Sequence, residues 1–157
     1  MSISIRPLAA GDAKSLPIIH SNAVRVMARE HYSQEIIEAW TGAFTRADIE
    51  SALNEPQTQW LLALDADEPA GFALRHGPEI RAVYVHPDHS RKGLGRTLLT
   101  ELEQKARQEG HTSLQLEASL NARPFYQKQG YRDVTRSFFN LPDGLLMESV
   151  KMTKELS

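Results

Sequence analysis

The hydrophobic positions of the chain change period along its length, and the changes mark out the elements. Residues 3–6 alternate apolar and polar, as a short strand does. Leu16, Ile19, Ala23 and Val26 or Met27 then recur at three-to-four spacing, which predicts a helix that Asp12 can cap and that Pro17 kinks or restarts. Ser33 offers a second cap ahead of Ile36, Ile37 and Trp40. Thr45, with Asp48 three residues on, resembles a capping box before Ile49 and Leu53. The N-terminal third is therefore expected to be mainly helical.

From Gln57 the pattern changes to that of strands. Segments 58–64, 70–76 and 80–86, separated by turns at 65–69 and 77–78, predict an antiparallel meander. Leu94, Leu98, Leu102 and Ala106 lie four apart and Gly110 follows, so a helix over 93–109 is expected to pack on that sheet. Residues 114–117 form the next predicted strand. Asn121 can cap a short helix with Pro124 in its first turn and Gly130 at its end, before strands over 131–140 and 145–153. The order β-αα(α)-βββ-α-β-α-ββ, without a repeat, a low-complexity tract or a long linker, predicts one α+β domain over 1–157.

Composition narrows the partners. The chain is 41% hydrophobic and 24% charged, with 18 basic and 20 acidic residues and a net charge of -2, which argues against a nucleic-acid backbone as the main partner. Any anion site must be local. The absence of cysteine removes disulfides, thiolate metal sites and cysteine nucleophiles. The six histidines show no metal-ligand spacing, so no metal is expected. No apolar signal core follows the first residues, and the apolar run 60–64 is too short to span a bilayer, so a cytoplasmic protein without a membrane partner is expected.

One segment carries chemistry. Val83-Tyr84-Val85-His86-Pro87 followed by Arg91-Lys92-Gly93-Leu94-Gly95-Arg96 sets a glycine-rich turn between a strand and a helix. Glycines let the backbone approach an anion closely, the unpaired N–H groups of a first helical turn point at it, and the helix dipole adds a favourable field. Arg91, Lys92 and Arg96 add charge. The spacing fits neither a P-loop nor a dinucleotide-binding fingerprint.

Together with Leu114-Gln115-Leu116-Glu117, Asn121 and Phe125-Tyr126-Gln127-Lys128-Gln129-Gly130-Tyr131, this segment resembles the GNAT N-acetyltransferase superfamily, in element order over nearly the whole chain. Within the superfamily, the length and the region from Tyr32-Ser33 to Trp40 are similar to small bacterial YafP-type acetyltransferases. The resemblance implies a mixed central sheet of about six to seven strands flanked by helices. It also implies a strand at Val83, Tyr84 and Val85 that splays from its neighbour at 114–117, with the pantetheine of acetyl-CoA inserted in the gap as an added strand would be. The N–H of Val85 would polarise the thioester carbonyl. Arg91, Lys92, Gly93, Leu94, Gly95, Arg96 and Thr97 would hold the pyrophosphate, Asn121 would reach the pantetheine arm, and Tyr126 would protonate the departing thiolate. Ser90 departs from the family, which usually has Gln or Arg there, and two outcomes are open: the phosphate contact is lost, or Arg91 beside it substitutes.

Acetyl transfer to an amine needs one base and one acid and no covalent intermediate. For the base, Glu117 and Glu79 are both open, with His86 and His89 flanking the site. His31, Tyr32 and Trp40 are the residues expected at the acceptor, a small-molecule or peptide amine, and a homodimer through the late strands is left open. A non-catalytic acyl-CoA-binding sensor is the alternative. Transfer to aminoacyl-tRNA would require a basic face at Arg75, Arg81, Arg91, Lys92 and Arg96, which the overall charge disfavours.

Overall fold

The computed structural model describes residues 2–157. Its strands are β1 (Ile3–Pro7), β2 (Thr58–Asp65), β3 (Glu68–His76), β4 (Glu79–Val85), β5 (Ser113–Ser119), β6 (Arg132–Asn140) and β7 (Leu146–Glu155). The helices are α1 (Leu16–Met27), α2 (Gln34–Ala43), α3 (Arg46–Ala52), α4 (Leu94–Gln108) and α5 (Arg123–Lys128).

Side-chain alternation along β2 decides the layering. Leu61 and Ala63 pack on one face with Leu94, Leu98, Leu99, Leu102 and Ala106 of α4, while Trp60 and Leu62 pack on the other with Leu16 and Ile19 of α1 and Ile49 of α3. All four strand residues are buried, so the sheet is covered on both faces. The seven strands run in the order β1-β2-β3-β4-β5-β7-β6, antiparallel except for the parallel pair β4–β5. This is the α+β arrangement expected from the element order, with the mixed sheet that the resemblance implies.

Local chemistry sets the helix ends, with two corrections. The Ser33 hydroxyl accepts the Ile36 N–H and the Thr45 hydroxyl accepts the Asp48 N–H, as their spacing predicts. Asp12 does not cap α1. It lies in a 3₁₀ turn over Ala10–Ser15, where its carboxylate accepts the Ala9 N–H and pairs with Arg6, and α1 begins at Leu16 with Pro17 in its first turn. Asn121 does not cap α5 either. Ala122 holds the N-cap with helical backbone angles, which frees the Asn121 side chain for another role.

The one parallel pair is short. β4 and β5 are joined only at Glu79↔Gln115 and Ile80↔Leu116, after which they diverge, each held on its outer side by β3 or β7. Tyr32 fastens the rim of the gap: its hydroxyl donates to Glu148 O (2.6 Å) and accepts the Leu120 N–H (2.8 Å).

Candidate active site

Divergence of β4 from β5 leaves main-chain groups facing a gap. The His86 N–H donates to Ala70 O of β3 (2.8 Å), and Val85 and Val83 pair with Gly71 and Ala73. Alternation along an antiparallel edge therefore turns the N–H and C=O groups of Val83 and Val85 away from β3 and into the gap. A cavity of about 650 Å³ occupies it, walled on this side by Val83, Val85, Glu117, Asn121, Phe125 and Tyr126. That size suits a small-molecule site.

At one end of the cavity α4 begins. Gly93 is its N-cap in the left-handed region (φ 76°), so the N–H groups of the first turn have no intrahelical partners. A Cβ placed on Gly95 would meet the Phe125 ring at 3.4 Å and Val85 at 3.8 Å, so the helix presents bare backbone to the cavity there. Leu94 is buried beneath and anchors the turn, and the Thr97 hydroxyl donates back to Gly93 O (2.9 Å).

The charges of the loop divide into two kinds. Lys92 is ion-paired with Asp65 at the end of β2, and His89 Nδ1 lies 2.9 Å from the same Asp65 oxygen. Both partners hold the Asp65 carboxyl below its ordinary pKa, so it is ionised and His89 Nδ1 must carry the proton it donates. Lys92 thus fastens the loop and does not stand free as an anion ligand. Arg91 and Arg96 are exposed; Arg91 sits in the left-handed region (φ 65°), next to Ser90 at the cavity wall.

Tyr126 is buried at the cavity, and burial raises its phenol above the ordinary pKa, as it does for Tyr84 across the gap. Asn121 lines the same cavity with its Oδ1 sealed from solvent and without a hydrogen-bond partner. Glu117 also faces it, and accepts from the Ser149 hydroxyl at 2.5 Å. Glu79 is not brought to the site. It lies at the closed end of the β4–β5 pair and accepts from Arg81 Nε at 2.6 Å. The basic face weighed for tRNA is broken up as well: Arg75 is buried, bonded to Gln59, Gly77 O and Glu109.

Opposite the open edge of β4, α1 and α2 supply the far wall. Trp40 lines it, whereas His31 is exposed outside the cavity and Tyr32 is engaged as a fastener. Sequence reasoning missed His20 and Phe44. His20 is buried among Trp40, Phe44 and Tyr84 at ring-centroid distances of 5.9, 4.6 and 4.6 Å; its Nδ1 has no partner, and burial lowers its pKa to about 4. One signal for it was available: His20 falls on the apolar stripe of α1 with Leu16, Ile19, Ala23 and Val24.

Comparisons with known proteins agree with this geometry. Residues 28–156 match the family model described as Acetyltransferase (GNAT) domain. The chain is 30% identical over 133 residues to the uncharacterised N-acetyltransferase YafP of Escherichia coli, covering 85% of this chain and 83% of that protein. A GCN5-related N-acetyltransferase from Rhodopseudomonas palustris superposes with a TM-score of 0.89 at 32% identity, covering 99% and 97% of the two chains. The PaiA N-acetyltransferase of Thermoplasma acidophilum, solved in complex with coenzyme A, shares the fold at TM-score 0.81 and 23% identity, over 99% of each chain.

Proposed function

The chain belongs to the GNAT acetyltransferase family, and from that premise we propose that it acts as a single domain over 1–157 that moves an acetyl group from acetyl-CoA directly to an acceptor amine. The observation that carries this reading is the open edge of β4, where Val83 and Val85 offer main-chain groups to a cavity that ends on the bare first turn of α4. The residues present suit that cofactor. The edge can pair with an amide-bearing arm as with another strand, the orphaned Asn121 Oδ1 can accept one of its N–H groups, and the α4 terminus with Arg91 and Arg96 can take a pyrophosphate.

Bound acetyl-CoA supplies the activated acetyl thioester. The protein supplies polarisation and proton traffic. The Val85 N–H polarises the carbonyl oxygen, and Glu117 takes one proton from the acceptor ammonium so that its lone pair can attack. As the C–N bond forms and the C–S bond breaks, Tyr126 gives its proton to the sulfur and recovers one from the nitrogen. The balance is amide, free thiol and one proton released through Glu117. Burial keeps the Tyr126 phenol protonated before the C–S bond breaks, so the proton is in place for the sulfur.

Tyr126→Phe tests the assignment. Turnover in a thiol-release assay is expected to fall about 100-fold with acetyl-CoA affinity nearly unchanged. An unchanged rate would remove Tyr126 as the acid, and tight CoA binding without amine-stimulated thiol release in the wild type would favour the sensor. The reading places the work in the cytoplasm. Among the described residues no helix is long and apolar enough to cross a membrane, and β6, paired only with β7, leaves a free edge for a homodimer.

A further inference from the structure

The wall facing the cofactor edge is built of rings. His20, Trp40 and Tyr84 meet nearly edge to face, with interplanar angles of 79° and 67°, and Phe44 continues the stack onto Phe72 at 5.4 Å. Fixed from several sides, these rings present a rigid apolar surface to the cavity that ends on Glu117. Val26 and Met27 at its margin are 45% and 57% exposed, apolar surface unexplained by the core.

Charge at the cavity is sparse. Glu117 is the one carboxylate among the described lining residues, and Arg81, the one permanent cation, is already paired with Glu79. A polyamine would leave its second ammonium against rings without a counter-charge, and an α-amino acid would bring a carboxylate toward Glu117 with no free cation to receive it. Both are disfavoured. An acceptor with one amine and a flat carbon body meets neither cost and gains edge-to-face contacts with the same rings.

We infer that the acceptor is a small arylalkylamine, its ring against Trp40, Phe44 and Tyr84 and its amine at Glu117. This rests on the acetyl-transfer reading for the reaction, but the seating of the ring can be measured without turnover.

Phenethylamine, spermidine and a lysine-containing peptide serve as probes of the CoA-bound protein and, with acetyl-CoA, of thiol release. Phenethylamine is expected to shift tryptophan emission through Trp40, with the shift lost in Trp40→Phe, and to be used with a kcat/KM about tenfold or more above the other two. An emission shift without thiol release would support the ring site and sink the acetyl-transfer reading. Faster thiol release with spermidine or the peptide would overturn the inference and leave acetyl transfer standing. Phenethylamine without an emission shift would also overturn it. Ala43→Trp provides a second check, because Ala43 is exposed on α2 and lines the cavity, so a large ring there fills space without disturbing the core. It is expected to raise the KM for phenethylamine about tenfold with the acetyl-CoA KM unchanged; equal KM values for phenethylamine in variant and wild type would overturn the ring site.

Discussion

The two walls of the cavity are made of different material. On the β4–α4 side most of the groups proposed for the cofactor are main chain: the inward-turned amides of Val83 and Val85 and the bare first turn of α4 at Gly93 and Gly95. On the α1–α2 side the groups are side chains, with His20 and Trp40 standing on helices, and Phe44 just past the end of α2, in places that would keep their shape with other residues. A main-chain site constrains sequence by what must be absent, namely a Cβ in the way or a neighbouring strand. A side-chain site can be refitted to another ligand one residue at a time. The first kind suits a cofactor that does not change, and the second an acceptor that can.

The sharpest way to break this contrast is to add a side chain where α4 presents bare backbone to the cavity. Gly95→Val leaves α4 able to form, since valine is an acceptable helix residue, but puts two methyl groups between Phe125, Val85 and the first-turn N–H groups. Acetyl-CoA affinity measured by calorimetry is expected to fall about 100-fold or more, the scale of losing several charge-assisted hydrogen bonds together. Wild-type affinity in this variant would mean that the α4 terminus does not hold the cofactor.

The same contrast explains what could be read from the chain alone. The short apolar runs of β2 and β3, four-residue spacing in α4 and the glycines of its first turn are local signals, and they led to the right layers and to the glycine-rich end of the cavity. Ring packing is not local. His20 and Phe44 lie 24 positions apart and meet only because α1 and α2 fold over the same face of the sheet, so neither stood out from an ordinary amphipathic helix. Glu79 misled for a related reason. It opens the strand that leads to Val85, but β4 and β5 diverge beyond it, and it stays at the closed end. The tie of Lys92 to Asp65 was hidden for the same reason, because the two lie 27 positions apart.

That ion pair offers a finer test of the cofactor wall. Asp65→Asn keeps the shape of the side chain and removes the charge that holds Lys92 and His89. Two effects oppose each other: a released Lys92 could add attraction for a pyrophosphate, while the loop loses the two charge-assisted contacts that fix its path. The second should dominate, because an exposed lysine is screened by salt, whereas the loop's geometry sets every main-chain contact at once. Steady-state kinetics should show the acetyl-CoA KM raised about tenfold and kcat within about twofold of wild type. A lower KM would mean that Lys92 works better free, and that side-chain charge outweighs main-chain geometry in this wall.

The smallest expected effect probes the acceptor wall through pH. His20 titrates near 6.5 when unfolded but at about 4 when buried among the rings. Between those values the unfolded chain binds a proton that the folded one does not, so stability falls as the pH drops through this window. From pH 7.5 to pH 5.5 the loss assigned to His20 is about 1 kcal/mol. Carboxylates held below their ordinary pKa, such as Asp12, contribute only at lower pH. His20→Phe keeps a ring in the box and removes the titration. Urea denaturation at the two pH values should therefore show a smaller acid-induced loss in the variant than in the wild type. Equal losses would mean that His20 takes up its proton without leaving the wall, and the box would then carry a positive charge in mild acid that repels an ammonium-bearing acceptor.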